Sequence, residues 1–132
     1  MTIAQYVIVF DGGALGNPGH GYGSYHITAD DGTVIHERLD YGDRVTNNQA
    51  EYRTLINALE ALSHRLLGDT SETALRIRGD SQLVVNQVLG RWKVKHPDLR
   101  PLHQRAVDLV STYDHVDLAW HPRSMSVRLL GH

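Results

Sequence analysis

Apolar residues in the first third of the chain follow the patterns of β-strands. Residues 3–10 (IAQYVIVF) form a nearly continuous run of β-branched and aromatic side chains, typical of a central strand buried on both faces. Residues 22–29 and 33–40 predict two more strands, and Asp31-Gly32 between them is a strong signal for a hairpin. We therefore expect the chain to open with three antiparallel strands.

The rest of the chain alternates between helical and strand patterns. Residues 48–66 place apolar side chains three and four positions apart, which predicts an amphipathic helix ending near Gly68. Its start offers three good N-cap residues: Thr46, Asn47 and Asn48. The remaining predicted elements are a strand at 73–78, a short helix at 82–89 capped by Ser81, a helix at 98–112 and a strand at 115–120. This order predicts a mixed α/β fold with helices packed on a mixed sheet.

Length and composition indicate one ordinary globular domain over residues 1–132. The chain has 41% apolar residues, 21% charged residues and no cysteine, which excludes a disulfide framework and thiolate metal sites. No apolar run approaches the roughly 18 residues of a membrane span, and the start lacks the pattern of a secretory signal. We expect a cytoplasmic protein without a membrane partner.

Charge is segregated along the chain. Residues 1–90 carry 6 Lys/Arg and 11 Asp/Glu, a net of −5, whereas residues 91–132 carry 7 and 4, a net of +3. The overall charge of −2 argues weakly against a general nucleic-acid binder. A basic end can still bind phosphates, although chance clustering explains the distribution equally well.

Three carboxylates are predicted to meet at one rim of the sheet. Asp11 ends the first strand, Asp80 ends the fourth, and Glu51 shares the apolar face of the long helix. Each has an ordinary explanation alone: a turn former, a residue that begins a helix, and a favourable charge at a helix N-terminus. Together they would repel one another unless a cation lies between them. Oxygen ligands without Cys or His indicate a hard ion, Mg²⁺ or Mn²⁺.

The glycine-rich stretch at 11–24, DGGALGNPGHGYGS, matches neither a P-loop nor a dinucleotide fingerprint, because it lacks the Lys-Ser/Thr pair and precedes a strand. A hairpin with several residues at positive φ is the structural explanation. The functional one is that Gly12 and Gly13 let a substrate backbone approach closely.

Four segments in this order resemble ribonuclease H of the bacterial and archaeal type: DGGALGNPGHGYGS at 11–24, TNNQAEYRTLINALEAL at 46–62, GDSQLVVNQVLGRWKVKHPDL at 79–99 and WHPR at 120–123. The resemblance implies a ribonuclease H fold, with a five-stranded mixed sheet flanked by helices. It also implies a monomeric endonuclease that cuts the RNA strand of RNA/DNA hybrids with Mg²⁺ or Mn²⁺, two ions per site when substrate is bound.

Carried over by position, the resemblance implies that Asp11, Glu51 and Asp80 are the metal-binding carboxylates. It implies substrate contacts for ten further residues: Gly12, Gly13, Asn17, Thr46, Asn48, Gln82, Arg91, Trp92, Lys93 and Lys95. Trp92 has an alternative explanation as a core aromatic residue. Two residues fall where the family often assists the scissile phosphate or leaving group, and Arg123 is preferred over His121.

The chain departs from the family after Arg123. The family usually supplies a fourth carboxylate on a C-terminal helix, but here that position is Leu130, and no acid follows Asp117. His132 is a poor substitute, because imidazole is a weak Mg²⁺ ligand. Activity could survive at reduced rate on three carboxylates, or the tail could have been altered by a shifted reading frame. The chain could also bind hybrids with little or no cleavage.

A DNA 3′–5′ exonuclease of related fold is a further alternative. That class usually carries an Asp-x-Glu pair on its first strand, and Asp11-Gly12-Gly13 lacks it.

Overall fold

The computed structural model describes residues 3–131, which form a five-stranded sheet and four helices. The strands are β1 (Ala4–Leu15), β2 (Gly19–Ala29), β3 (Val34–Val45), β4 (Thr73–Gly79) and β5 (His115–Trp120). The helices are α1 (Asn47–Arg65), α2 (Gln82–Val88), α3 (Arg100–Ser111) and α4 (Arg123–Leu130). A 3-10 turn at Pro97–Leu99 leads into α3. No helix among the described residues is long and apolar enough to span a membrane.

The sheet is mixed, in the order β3-β2-β1-β4-β5. β1 pairs antiparallel with β2, and β2 with β3, whereas β1–β4 and β4–β5 are parallel. The predicted antiparallel opening and the predicted mixed sheet are both confirmed. β1 is central, as its continuous apolar run predicts, and Ile8, Val9 and Phe10 are buried. Because β1 and β4 are parallel neighbours, their carboxyl ends reach the same edge of the sheet.

The core lies between the sheet and the apolar face of α1. Leu55, Leu59 and Leu62 are fully buried and join one cluster with Ile8 and Phe10. Each fully buried side chain of this kind contributes roughly 1.5–3 kcal/mol. α1 is capped by Thr46, whose side chain accepts from the Gln49 N–H in a capping box. α1 is thereby fixed in position where it brings Glu51 to the sheet.

β1 extends to Leu15, beyond the residue-10 limit that the sequence predicts, so Asp11 lies within the strand and does not end it. The expected run of positive φ angles in the glycine-rich stretch is also wrong: between residues 11 and 24 only Gly16 has one, at 87°. At two other glycines of this stretch, the reason for glycine is the close approach of helix α1. A Cβ on Gly12 would lie 2.6 Å from the carbonyl carbon of Ala50, and a Cβ on Gly23 would collide with Thr54.

The segment after Pro122 is an ordered helix, α4, which the sequence patterns do not predict. It packs against β1 and β2 and ends at Gly131, which has the left-handed φ of 78° typical of a helix C-terminus. Ser126 and Leu130, four residues apart, form its buried face.

Candidate metal and nucleic-acid site

The three predicted carboxylates converge at the edge of the sheet. Asp11 comes from β1, Glu51 from the first turns of α1, and Asp80 from the residue after β4. Each offers an oxygen, and these oxygens all lie within 4.8 Å of one another. Asp11 is 6% exposed and Glu51 is 7% exposed. Within residues 3–131, no other group of His, Cys, Asp or Glu side chains has this arrangement.

Gly12 explains how α1 approaches the strand so closely. The backbone of Ala50 and Glu51 occupies the space that a Cβ at residue 12 would need. The Gly12 N–H also donates a hydrogen bond to the Glu51 carboxylate. The strand and the helix are therefore in backbone contact at the residues that carry two of the three acids.

The electrostatics of this cluster favour a cation. Burial raises the pKa of Glu51 well above its ordinary value, and the neighbouring charges of Asp11 and Asp80 raise it further. Glu51 Oε2 and Asp80 Oδ2 are buried without a hydrogen-bond partner in the structure. Buried polar oxygens normally have partners, and a divalent ion satisfies several at once. The donor set is all oxygen, so the cluster fits a divalent metal site.

A shallow depression opens beside the cluster and is lined by two of its carboxylates, Glu51 and Asp80. Its remaining walls are backbone and polar side chains: Gly12, Gly13, Tyr22, Asn47, Asn48, Ser81 and Arg123. Arg123 begins α4, and its charge lowers the pKa of Glu51, against the larger effects of burial and the two aspartates. His121 lies differently. It is 8% exposed, and its Nε2 is 2.7 Å from the Ser126 hydroxyl, so it links β5 to α4.

A second groove, of about 370 Å³, lies on the other side of the α1 N-terminus and shares Asn48 with the depression. It gathers five of the predicted substrate residues: Asn17, Thr46, Asn48, Lys93 and Lys95. Asn17 Oδ1 accepts from the Asn47 N–H at 3.0 Å, and Asn47 Oδ1 accepts from the Ala14 N–H at 2.8 Å. These two bonds tie the β1–β2 turn to the start of α1.

The basic segment, residues 91–95 (RWKVK), follows α2 on the surface. Trp92 is 47% exposed, so its alternative explanation as a core aromatic residue is wrong. Gln87 anchors the segment, because its Nε2 donates to the Lys93 carbonyl at 3.1 Å. Gln82 is exposed in the first turn of α2, outside both depressions as far as the described residues show.

Sequence reasoning missed three residues that line the depression: Tyr22, Asn47 and Ser81. Asn47 and Ser81 were visible only as helix caps, and nothing in the pattern around Tyr22 marks it. Sequence reasoning also missed the role of Trp120. Its Nε1 donates to the backbone carbonyl of Asp80 at 3.1 Å and so holds the backbone that carries the Asp80 carboxylate. The signal was its position at the end of β5, beside the end of β4.

Comparison with known proteins identifies related chains. A family model described as reverse transcriptase-like matches residues 10–128. The bifunctional protein Rv2228c of Mycobacterium tuberculosis is 47% identical over 121 residues, which is 91% of this chain and 32% of the relative. This chain therefore spans about a third of that curated relative.

Two solved structures match nearly end to end. The RNase H1 of the halophilic archaeon Halobacterium salinarum NRC-1 is 37% identical with a TM-score of 0.81, covering 94% of this chain and 90% of that one. LC11-RNase H1, solved in complex with an RNA/DNA hybrid, is 32% identical with a TM-score of 0.82, covering 93% and 89%.

Proposed function

This chain belongs to the ribonuclease H family, and on that premise we propose that it is a metal-dependent endonuclease that hydrolyses the RNA strand of RNA/DNA hybrids. The observation that carries the proposal is the cluster of Asp11, Glu51 and Asp80, with two buried carboxylate oxygens that have no hydrogen-bond partner. A relative of 32% identity was crystallised on an RNA/DNA hybrid, which supports the substrate class.

The three carboxylates would hold Mg²⁺ or Mn²⁺, with two ions when substrate is bound. Such ions supply positive charge that stabilises the attacking and leaving oxygens of an in-line displacement at phosphorus. The protein's own contribution is a prearranged, partly buried set of oxygens. The Gly12 N–H bonds to the Glu51 carboxylate, and the Trp120 side chain holds the backbone carbonyl of Asp80.

Arg123 is proposed to bind the scissile phosphate. It is exposed at the rim of the depression and close enough to influence Glu51. A guanidinium group matches a phosphate with two parallel hydrogen bonds. His121 is assigned a structural role instead, since it is buried against Ser126.

The second groove and the exposed residues beside it, Gln82 and the basic segment, are proposed to bind the hybrid. Asn17 and Thr46 are proposed to contact a DNA-strand phosphate, and Asn48 and Gln82 to contact 2′-hydroxyls or base edges in the minor groove. The 2′-hydroxyl is what distinguishes RNA from DNA. The exposed cations of the basic segment would neutralise backbone phosphates, and Trp92 offers an exposed ring beside them.

The expectation that Gly12 and Gly13 make room for a substrate backbone does not hold, because the backbone of Ala50 and Glu51 fills the Cβ space of Gly12 and the Tyr22 side chain fills that of Gly13. Both glycines line the depression, and their proposed substrate contact is through the backbone alone.

The position of the family's usual fourth carboxylate is Leu130, which is 2% exposed on α4. We therefore propose hydrolysis at a reduced rate, supported by three acids. The same observation favours a second candidate function, a hybrid-binding module with little or no catalysis.

A panel of labelled duplexes tests the proposal. RNA/DNA hybrid, double-stranded RNA and double-stranded DNA of one sequence are incubated with the protein in Mg²⁺ and then in Mn²⁺. Cleavage confined to the RNA strand of the hybrid is expected. Hybrid binding without cleavage in either metal supports the binding module, and equal cleavage of double-stranded DNA contradicts both.

A further inference from the structure

His20 lies between two carboxylates at the open edge of the sheet. Its Nε2 is 2.7 Å from Asp40 Oδ1, and its Nδ1 is 3.2 Å from Asp43 Oδ1. Both ring nitrogens donate only when the imidazole is protonated. The geometry is therefore that of a histidinium bridging two acids.

The bridged acids belong to an irregular part of β3. Residues 40–45, here called the bulged segment, pair with β2 through two register shifts, between Gly19 and Gly21 and between Gly21 and Tyr22. Gly42 and Arg44 have positive φ angles of 75° and 64°. Bulges weaken the ladder locally because the extra residues lack backbone partners. Side-chain bonds across this segment therefore matter more than in a regular strand pair.

His20 is the one side chain that β2 can offer here. A Cβ on Gly19 would collide with the Leu15 carbonyl oxygen, and a Cβ on Gly21 would lie 2.6 Å from Val45 Cβ. The flanking glycines let β2 contact its neighbours through the backbone. His20 then reaches over the bulged segment and holds it at its first residue, Asp40, and in its middle, at Asp43.

Two residues of the second groove, Thr46 and Asn17, lie close in sequence to the strands that the His20 contact joins. Thr46 directly follows the bulged segment and caps α1, and Gly19 pairs with Val45 beside it. Asn17 lies in the turn two residues before Gly19 and bonds to the N–H of Asn47. A shift of the β2–β3 edge therefore moves Asn17 relative to Thr46.

We propose that His20 is a positioning residue for hybrid binding, whose protonated ring clamps Asp40 and Asp43 and so fixes Asn17 and Thr46 in the substrate groove. The inference rests on the proposed function, because it assigns these two residues to the substrate. His20 acts through Asp40 and Asp43 and does not itself contact the hybrid in this proposal.

The charge balance gives the clamp a pH dependence. The charged groups that face His20 are Asp40 and Asp43 of β3, and both raise its pKa above 6.5; β1 presents Leu15 opposite. The clamp is complete below that ordinary value and is lost as pH rises through the raised pKa. Deprotonation leaves two facing carboxylates uncompensated near a phosphate-binding groove. Hybrid affinity should then fall.

The experiment compares His20→Gln with the wild-type chain. Hybrid Kd is measured by fluorescence anisotropy in an Asp11→Asn background, which prevents cleavage in both arms, at fixed salt from about pH 5.5 to about pH 8.5. The ratio of the two Kd values removes every pH effect that the arms share. KM and kcat are measured in the active proteins. His115→Gln is the matched control, because His115 is also exposed but lies at the far edge of the sheet.

At low pH, His20→Gln should raise Kd and KM by about two- to fivefold without changing kcat, the range expected for exposed ion pairs. The Kd ratio should approach one at high pH. Asp43→Asn should shift the midpoint of this change, and the NMR titration midpoint of His20, to lower pH. His115→Gln should behave as wild type.

A Kd ratio that stays at one at every pH overturns the inference, as does a ratio above one that does not vary with pH. An equal fall in kcat would also overturn it, since that would indicate general damage. Failure of the proposed function looks different, because then the Asp11→Asn protein binds no hybrid at any pH. In that case the NMR midpoint of His20 and its shift in Asp43→Asn still test the clamp itself.

Discussion

The hydroxyl of Tyr52 donates a 2.6 Å hydrogen bond to Oε1 of Gln87, and both side chains are buried. The Nε2 of the same amide donates to the Lys93 carbonyl. One buried side chain thus connects the long helix α1 to the basic segment. An interior contact thereby sets the position of an exposed, cationic part of the proposed substrate surface.

Gln87→Met should destabilise the protein and weaken hybrid binding. Methionine fills similar space but leaves the buried Tyr52 hydroxyl unpaired, at a cost of about 1–3 kcal/mol, and releases the Lys93 carbonyl of the exposed basic segment. Urea denaturation and hybrid Kd measure the two effects. Tyr52→Phe is the control, because it leaves the bond to Lys93 intact: it should lower stability and leave Kd unchanged. Equal Kd values for wild type and Gln87→Met would show that this anchor does not set the basic segment.

Glu51→Gln should stabilise the metal-free protein while abolishing cleavage. The folded-state pKa of Glu51 is raised by burial and by Asp11 and Asp80, so its ionisation opposes folding. Wild-type stability in EDTA should therefore fall as pH rises from the unfolded value of 4.5 toward the folded pKa. Glutamine removes this decline and still accepts the bond from the Gly12 N–H.

Thermal melts in EDTA across that pH range provide the measurement. Glu60→Gln, at an exposed position of the same helix, should keep the wild-type pH profile. A Glu51→Gln protein less stable than wild type at neutral pH would contradict the electrostatic picture of the cluster. Added Mg²⁺ should raise the melting temperature of the wild type but not of Glu51→Gln.

Arg123→Ala should lower kcat by about 100- to 1,000-fold, the range for losing one donor that stabilises developing charge. Arg123→Lys should recover only part of the rate, since an ammonium group cannot make the bidentate hydrogen bonds that a guanidinium group makes to a phosphate. Arg128→Ala, an exposed arginine on the same helix, is the matched control and should keep wild-type kcat. Identical kcat values for the two alanine variants would remove Arg123 from the site.

Leu130→Asp should raise cleavage activity in Mg²⁺ and lower stability in EDTA. α4 is docked on β1 and β2, so an acid at its buried position would add a carboxylate at the position that the resemblance matches to the family's fourth acid. Losing the buried leucine should cost about 2–5 kcal/mol without metal. Leu130→Asn controls for polarity without charge and should lose stability with no gain in rate. A Leu130→Asp protein that is folded in Mg²⁺ but no faster than wild type would show that residue 130 does not reach the metal site.

Much of the fold and the centre of the site follow from local patterns. The apolar run of β1 and the 3–4 spacing of α1 place Asp11 and Glu51, and a parallel strand pair brings Asp80 to the same edge. These features can be predicted from the sequence because each depends on periodicity within one element. The extension of β1 to Leu15 was missed because glycines are depleted in strands, although here Gly12 and Gly13 continue one.

The parts that the sequence did not predict depend on contacts between elements. The sequence did not predict α4 because one of its two buried residues, Ser126, is polar. Ser126 is buried because its hydroxyl pairs with His121, a contact between two elements. The glycines of the first hairpin are needed for close approach to Ala50, Thr54 and Val45, which no local pattern reveals. The His20 contact likewise requires the two register shifts of β3.

The most direct test of the central claim is cleavage of a labelled RNA/DNA hybrid by the wild-type chain, Asp11→Asn and Asp80→Asn, each with Mg²⁺, with Mn²⁺ and with EDTA. We predict metal-dependent cuts in the RNA strand by the wild type, and a loss of at least about 10- to 100-fold in either variant with the fold retained. Wild-type rates in both folded variants, or cleavage that persists in EDTA, would contradict the assignment of these carboxylates to a catalytic metal site.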